Sequence, residues 1–192
     1  MKPAIESIVK EIFRLYNVHG TAGYIGEPVS QLEHMSQAAQ LAEKEGHDDE
    51  VVLAAFFHDF GHICAAESAV QMDGYGVQNH EKIGADYLRQ AGFSEKITRL
   101  VESHVQAKRY LTFKHPEYHH RLSEASRRTL AFQGGRMSEK EAADFEQDPL
   151  FTLYLQLRNW DEQAKEESLP LPGLAKYREM ALRHLAAKEP EK

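Results

Sequence analysis

Residues 49–62 read DEVVLAAFFHDFGH. Every side chain from Val51 to Phe57 is apolar, so a helix here has no polar face to turn to water and belongs at the centre of the molecule. Directly behind it stand His58 and Asp59. A carboxylate in such a place is costly to bury unless it is paired or bound to a metal. This one segment therefore predicts both a central helix and a polar site at its end.

The flanking sequence repeats the helical pattern. Apolar residues recur at three- and four-residue steps, and alternating β-branched runs are missing, which predicts an all-α domain. Ser30 and Glu33 form a capping-box pattern ahead of Leu32, Met35, Ala38, Ala39 and Leu41, and Gly46 supplies the stop. Asp48 or Asp49 can cap the central helix, Asn79 and Ser94 the next two, and Ser138 with Glu141 repeats the capping box. A late helix carries Phe151, Tyr154, Leu157 and Trp160. Pro170 to Gly173 interrupt the pattern before a last amphipathic helix through Tyr177, Met180, Leu182 and Leu185, and the charged tail from Lys188 is expected to fray. No internal repeat is present.

The chain of 192 residues is one domain's worth, and 42% hydrophobic with 28% charged residues is a globular composition. We expect a single domain over 1–192 with its core at about 20–180. A net charge of -7 argues against general attraction to nucleic acid or an anionic membrane, so an anionic ligand needs a local basic site. The lone Cys64 excludes an intramolecular disulfide framework and a cysteine-based zinc cluster. With no apolar run long enough to span a bilayer and acids inside the N-terminal apolar stretch, the expectation is a cytoplasmic protein with no obligate protein partner.

Eleven histidines are many for an acidic domain, and several fall on inward faces. His34 shares a stripe with Ala38 and Leu41, His104 follows Ile97, Leu100 and Val101, and Asp161 lies one and two turns after Leu157 and Tyr154. His80 opens a helix after the loop DGYGVQN. Singly, each of these has an ordinary explanation as a core or loop side chain. Together His34, His58, Asp59, His80, His104 and Asp161 form a set that suits two cations, and imidazole with carboxylate and no thiolate favours iron or manganese. Lys108 is one turn beyond His104 and Arg158 three residues before Asp161, so each cation shares a face with a candidate ligand and the two flank one cavity. His115, His119 and His120 lie beside Pro116 without helical spacing and read as a surface loop.

This ordered pattern resembles the HD-domain superfamily of metal-dependent enzymes, in which a first His, the HD pair and a late Asp hold one metal and two further His make room for a second. Tyr24-Ile25-Gly26-Glu27, His58-Asp59-Phe60-Gly61-His62, Gly74-Tyr75-Gly76-Val77, Ala107-Lys108-Arg109-Tyr110, Gln133-Gly134-Gly135 and Arg158-Asn159-Trp160-Asp161 narrow the likeness. They are similar to the mixed-valence di-iron oxygenases that cleave 2-amino-1-hydroxyethylphosphonate to glycine and phosphate. Phe60 departs from the leucine common in those relatives, apolar for apolar.

The resemblance implies a buried pair of irons in the Fe(II)/Fe(III) state, with Asp59 bridging and O2 as co-substrate. Two such ions with two carboxylates leave a centre of about +3, which attracts a phosphonate. It implies that His62, Ser126, Thr129 and Gln133 join Lys108 and Arg158 around the phosphonate. It also implies that Tyr24 is a lid residue which occupies an iron position until substrate arrives, and that Glu27 meets the substrate's amino group. N-methylated substrates giving glycine betaine stay open. So does a metal-dependent phosphohydrolase acting on a nucleotide or phosphomonoester, because many HD proteins use metal-bound water on phosphate esters.

Overall fold

A computed structural model describes residues 4–24 and 26–187. The expected fraying from Lys188 and the motif residue Ile25 lie outside the described residues. Eleven helices are described: α1 (Ile5–His19), α2 (Gln31–Lys44), α3 (Asp49–Phe57), α4 (Phe60–Cys64), α5 (His80–Gln90), α6 (Glu95–Lys114), α7 (Pro116–Arg121), α8 (Glu124–Phe132), α9 (Glu139–Glu146), α10 (Phe151–Gln163) and α11 (Leu174–Ala187). Among the described residues extended pairing is limited to two isolated bridges, Gly23 with Ser30 and Gln71 with Val77. The all-α expectation holds, and no described helix is long and apolar enough to cross a membrane.

Helix α3 is the axis of the bundle. Its residues Val51 to Phe57 are at most 2% exposed, and α2, α6, α10 and α11 pack around it. Full burial of an aliphatic or aromatic side chain contributes about 1.5–3 kcal/mol, so this short segment anchors a large share of the core. Aromatic rings carry the packing outward, Tyr16 on Phe56 at 4.7 Å and Phe56 on Tyr177 at 4.1 Å between centroids. The Tyr16 hydroxyl donates to the Phe56 carbonyl at 3.1 Å, satisfying a backbone acceptor at the end of α3 next to the polar site.

The capping signals are realised in detail. Ser30–Glu33 and Ser138–Glu141 form reciprocal capping boxes, and Asp48, Ser94 and Ser123 each accept from a first-turn N–H. Two expectations need correction. Asn79 makes no side-chain cap; it turns the chain instead, in the left-handed region at φ 58°. His119 and His120 are on a helix, α7, with His115 as its N-cap residue, because Pro at N1 is preset for the first helical turn and lacks only an N–H that would be unpaired there. His115 is still exposed, as is His120.

Candidate metal centre

The six candidate ligands come from six helices or their ends and converge at the end of α3. His34 is on α2, His58 caps α3, Asp59 leads into α4, His80 opens α5, His104 is on α6 and Asp161 on α10. None is more than 4% exposed. A close backbone approach makes the convergence possible: a Cβ on Gly61 would stand 1.9 Å from the His80 carbonyl oxygen, so only glycine lets α4 meet the start of α5.

Asp59 divides the set into two halves. Its Oδ2 is 3.5 Å from Nε2 of both His34 and His58. Its Oδ1 is 3.2 Å from His80 Nε2 and 3.4 Å from His104 Nε2. Asp161 Oδ1 completes the first half at 3.3 Å from His34 Nε2. A carboxylate with each oxygen facing its own pair of imidazoles is arranged to bridge two cations.

The tautomers fit that use. Nδ1 of His34, His58, His80 and His104 lies 2.9, 2.8, 3.2 and 2.7 Å from the carbonyls of Ala164, Ala55, Val77 and Val101. A carbonyl can only accept, so each Nδ1 carries the proton and each Nε2 turns its lone pair inward. The Nε2 atoms of His34 and His58 are 3.0 Å apart, as are those of His80 and His104. Two nitrogens at that spacing, each about 2.1 Å from one ion, subtend roughly a right angle, as six-coordinate ions prefer.

Electrostatics calls for the same ions. Burial alone raises the carboxyls of Asp59 and Asp161, yet His58 beside Asp59 and Arg158 beside Asp161 hold both well below the usual range. Burial also opposes charge on His34, but the adjacent carboxylates of Asp161 and Asp59 raise that ring to about 9. Two buried carboxylates demand positive charge, which a bound cation supplies in place of the proton. Asp59 Oδ2 is buried and accepts no hydrogen bond among the described residues, an acceptor for which a metal is the natural partner.

His62 brings a ring nitrogen within 4.8 Å of ligand atoms of Asp59 and His80. It serves differently, because the Val77 N–H donates to its Nδ1 at 3.1 Å, which leaves the proton of the neutral ring on Nε2. Burial, then the neighbouring His80, holds the ring well below its ordinary pKa. A neutral donor results, stacked on His80 at 4.0 Å.

The centre opens into a cavity that continues to solvent. Asp59, His80, His104 and Asp161 form its floor, and Lys108, Ser126, Thr129, Gln133, Arg158 and His62 line it with Tyr24 and Glu27. Both cations are buried, Lys108 at 3% and Arg158 at 4% exposure, where ordinary helix charges would be solvated. Lys108 donates to Thr129 Oγ1 at 3.0 Å, and burial followed by repulsion from Arg158 lowers its pKa to about 7. Arg158 donates from Nη1 to Asp161 at 2.5 Å and from Nε to the Tyr118 hydroxyl and Glu162 at 3.0 Å. Its Nη2 is buried without a hydrogen-bond partner among the described residues, and Arg158 lines the cavity.

Tyr24 stacks on His34 at 4.0 Å. Burial, then the adjacent Asp59 and Asp161, pushes its phenol well above the ordinary pKa. Glu27 is ion-paired at 2.6 Å with Lys165. Sequence patterns singled out neither Lys165 nor the pair Tyr118 and Glu162 that orients Arg158, nor Gln31, which lines the cavity and whose buried side-chain oxygen accepts no hydrogen bond among the described residues. Glu162 carried one legible signal, its place four residues after Arg158.

The comparisons with known proteins agree with this geometry. A family model described as HD domain matches residues 31–147. The chain is 45% identical over 179 residues to an uncharacterized protein of Acanthamoeba polyphaga mimivirus, covering 93% of this chain and 82% of that one. It is 38% identical to the [1-hydroxy-2-(trimethylamino)ethyl]phosphonate dioxygenase (glycine-betaine-forming) of Leisingera caerulea, over 92% of this chain and 90% of the relative. It is also 38% identical to the hydroxymethylphosphonate dioxygenase of Gimesia maris, over 88% and 84%. A buried His/Asp cluster that could hold metals, at the position of the HD pair and inside the matched segment, accords with that likeness: the chain belongs to the HD-domain family.

Proposed function

We propose that the protein is a di-iron oxygenase that cleaves the carbon–phosphorus bond of 2-amino-1-hydroxyethylphosphonate, or its N-methylated analogue, giving phosphate and glycine or glycine betaine. The observation that carries this reading is a buried carboxylate, Asp59, with two imidazoles facing each oxygen, beside a cavity that an arginine with an unpartnered donor and a buried lysine also line. Two irons held by His34, His58, Asp59, His80, His104 and Asp161 would supply oxygen activation. The two curated relatives named as phosphonate dioxygenases support oxygenation over ester hydrolysis.

The chain's own residues then divide the work. Arg158 Nη2 and the Lys108 ammonium bind phosphonate oxygens, while His62 Nε2–H, Ser126, Thr129 and Gln133 offer further hydrogen bonds around the same cavity. Holding the phosphonate there fixes C1 and its hydroxyl over Asp59 and the imidazole pairs, so position selects the C1 hydrogen. Tyr24, stacked on His34, shields this face from water until substrate enters. The atoms balance without a reductant: the hydroxyphosphonate and one O2 become one carboxylate product and one phosphate. The single Cys64 is in keeping with a reducing, cytoplasmic setting.

The test is aerobic incubation of the iron-loaded protein with 2-amino-1-hydroxyethylphosphonate, following phosphate and oxygen together. One O2 should disappear per phosphate released. Equal phosphate yield under strict anaerobiosis would overturn the oxygenase in favour of a hydrolase.

A further inference from the structure

Glu27 already holds an ammonium. Lys165 Nζ lies 2.6 Å from Glu27 Oε1 and 3.5 Å from Ser123 Oγ, and the Glu27 and Lys165 side chains are only 9% and 19% exposed. Both partners are held by their backbones. The Ala164 carbonyl bonds to His34 Nδ1 at 2.9 Å, and Glu166 exchanges two hydrogen bonds with the Gln37 amide at 2.8 and 3.0 Å. Lys165 is thus fixed between two residues tied to α2. On the other side, the Glu27 N–H donates to the Tyr24 carbonyl at 2.9 Å and the Tyr24 N–H to the Val29 carbonyl at 2.8 Å, which closes the 24–29 loop.

The lysine side chain ends in a primary alkylammonium, the same group that ends a 2-aminoethylphosphonate. We propose that Lys165 is a resident competitor for Glu27 and so a specificity-determining residue, whose place a substrate's primary ammonium takes. The inference rests on the substrate reading above and deepens it, because it says which nitrogen the site prefers. A primary ammonium reproduces the short N–H···O contact now made by Lys165. A trimethylated nitrogen has no N–H, and its methyl groups keep it about 4 Å from the carboxylate, which removes roughly a third of the attraction seen at 2.6 Å. Gln31 strengthens the preference, since it lines the same cavity and its buried side-chain oxygen accepts no hydrogen bond among the described residues; a primary ammonium can donate to it and a trimethylated nitrogen cannot. A substrate with no nitrogen leaves the Glu27–Lys165 pair intact and is indifferent to it.

Calorimetric titration of the iron-loaded protein with 2-aminoethylphosphonate, its trimethylammonio analogue and ethylphosphonate tests this without turnover. Lys165→Met should tighten 2-aminoethylphosphonate by about fivefold relative to ethylphosphonate, the upper end for a partly exposed ion pair. Lys165→Arg, which keeps the pair, should keep the wild-type ratio, and Lys165→Gln should fall between, so a poorly folding Met variant leaves the series readable. Wild type should bind the primary amine more tightly than the trimethylammonio compound. An unchanged ratio in Lys165→Met would overturn the competition, and so would a weakened one, which would make Lys165 a support for Glu27 instead. Because binding is measured, a protein that fails to consume oxygen can still satisfy or fail this test, which separates it from the oxygenase proposal. Absence of binding by all three compounds would overturn it together with the anion site.

Discussion

Replacing Arg158 should disable the cavity while sparing most of the fold. The side chain is 4% exposed and spends Nη1 on Asp161 and Nε on Tyr118 and Glu162, leaving Nη2 for a ligand. Arg158→Met removes the cation beside Asp161 and one donor to the phosphonate at once. Truncating one member of a buried, hydrogen-bonded charge pair typically costs about 2 to 5 kcal/mol, which is roughly 30- to 5,000-fold in catalytic efficiency. Arg158→Lys keeps a charge but loses the planar fork, so it should recover only part of the loss. Phosphate release on 2-amino-1-hydroxyethylphosphonate gives kcat/KM, iron analysis shows whether Asp161 still holds its ion, and binding of inorganic phosphate tests the anion site apart from turnover. Both variants fully iron-loaded, binding phosphate normally and within threefold of wild-type efficiency would refute the assignment of Arg158 to the substrate.

Metal analysis should find two irons per chain, falling to about one in His80→Ala or His104→Ala, since those rings face only one oxygen of Asp59; unchanged occupancy in both variants would return the site to a single metal. Lys108, with its pKa lowered to about 7 by burial and then by Arg158, must take up a proton to hold an anion above that pH. Phosphonate affinity should therefore fall by about tenfold per unit between pH 8 and 9.5 in wild type and stay level in Lys108→Met, measured by titration calorimetry. The stability sign follows: the unfolded lysine binds a proton up to about pH 10.4 and the folded one only to about 7, so this group favours folding more as pH rises through that window, and thermal melts of Lys108→Met should lack the trend. Gly61→Ala must push back the His80 carbonyl, 1.9 Å from the new Cβ, so a loss of about 1–3 kcal/mol in stability and of iron content is expected; a variant melting like wild type with two irons would contradict the close approach.

Much of this site was legible because its chemistry conflicts with its surroundings. Polar ligands on apolar stripes are anomalous in a sequence, and the structure buries His34, His104 and Asp161 on the faces that periodicity indicated. Lys108 and Arg158 were found by their helical spacing from those ligands, a local relation that one chain segment fixes. What escaped depends on distant segments. Nothing near Lys165 says that Gln37 and His34 will pin its turn opposite Glu27, since those contacts span 129 and 130 residues. Tyr118 was lost because α7 is only one and a half turns long and begins at a proline. Asn79 was misjudged because the same residue type serves both a cap and a left-handed turn, and which one wins depends on how α5 must meet Gly61.

Burying Lys108 and Arg158 works against folding, and the architecture shows why they are retained. Helix α6 supplies His104 and Lys108, and α10 supplies Arg158 and Asp161, so each helix presents a candidate metal ligand and a cation about one turn apart. One turn is about 5.4 Å, a span that a molecule with a hydroxyl and an oxyanion on adjacent atoms can bridge without reaching further. The same two helices pack against each other and against α3, so the spacing between the candidate ligands and the two cations is set by the core and not by a loop. A surface carrying net charge -7 offers a dianion no long-range attraction. On the proposed function recognition is then short-ranged, made by two desolvated cations whose mutual repulsion, seen in the lowered Lys108 pKa, a bound anion would relieve.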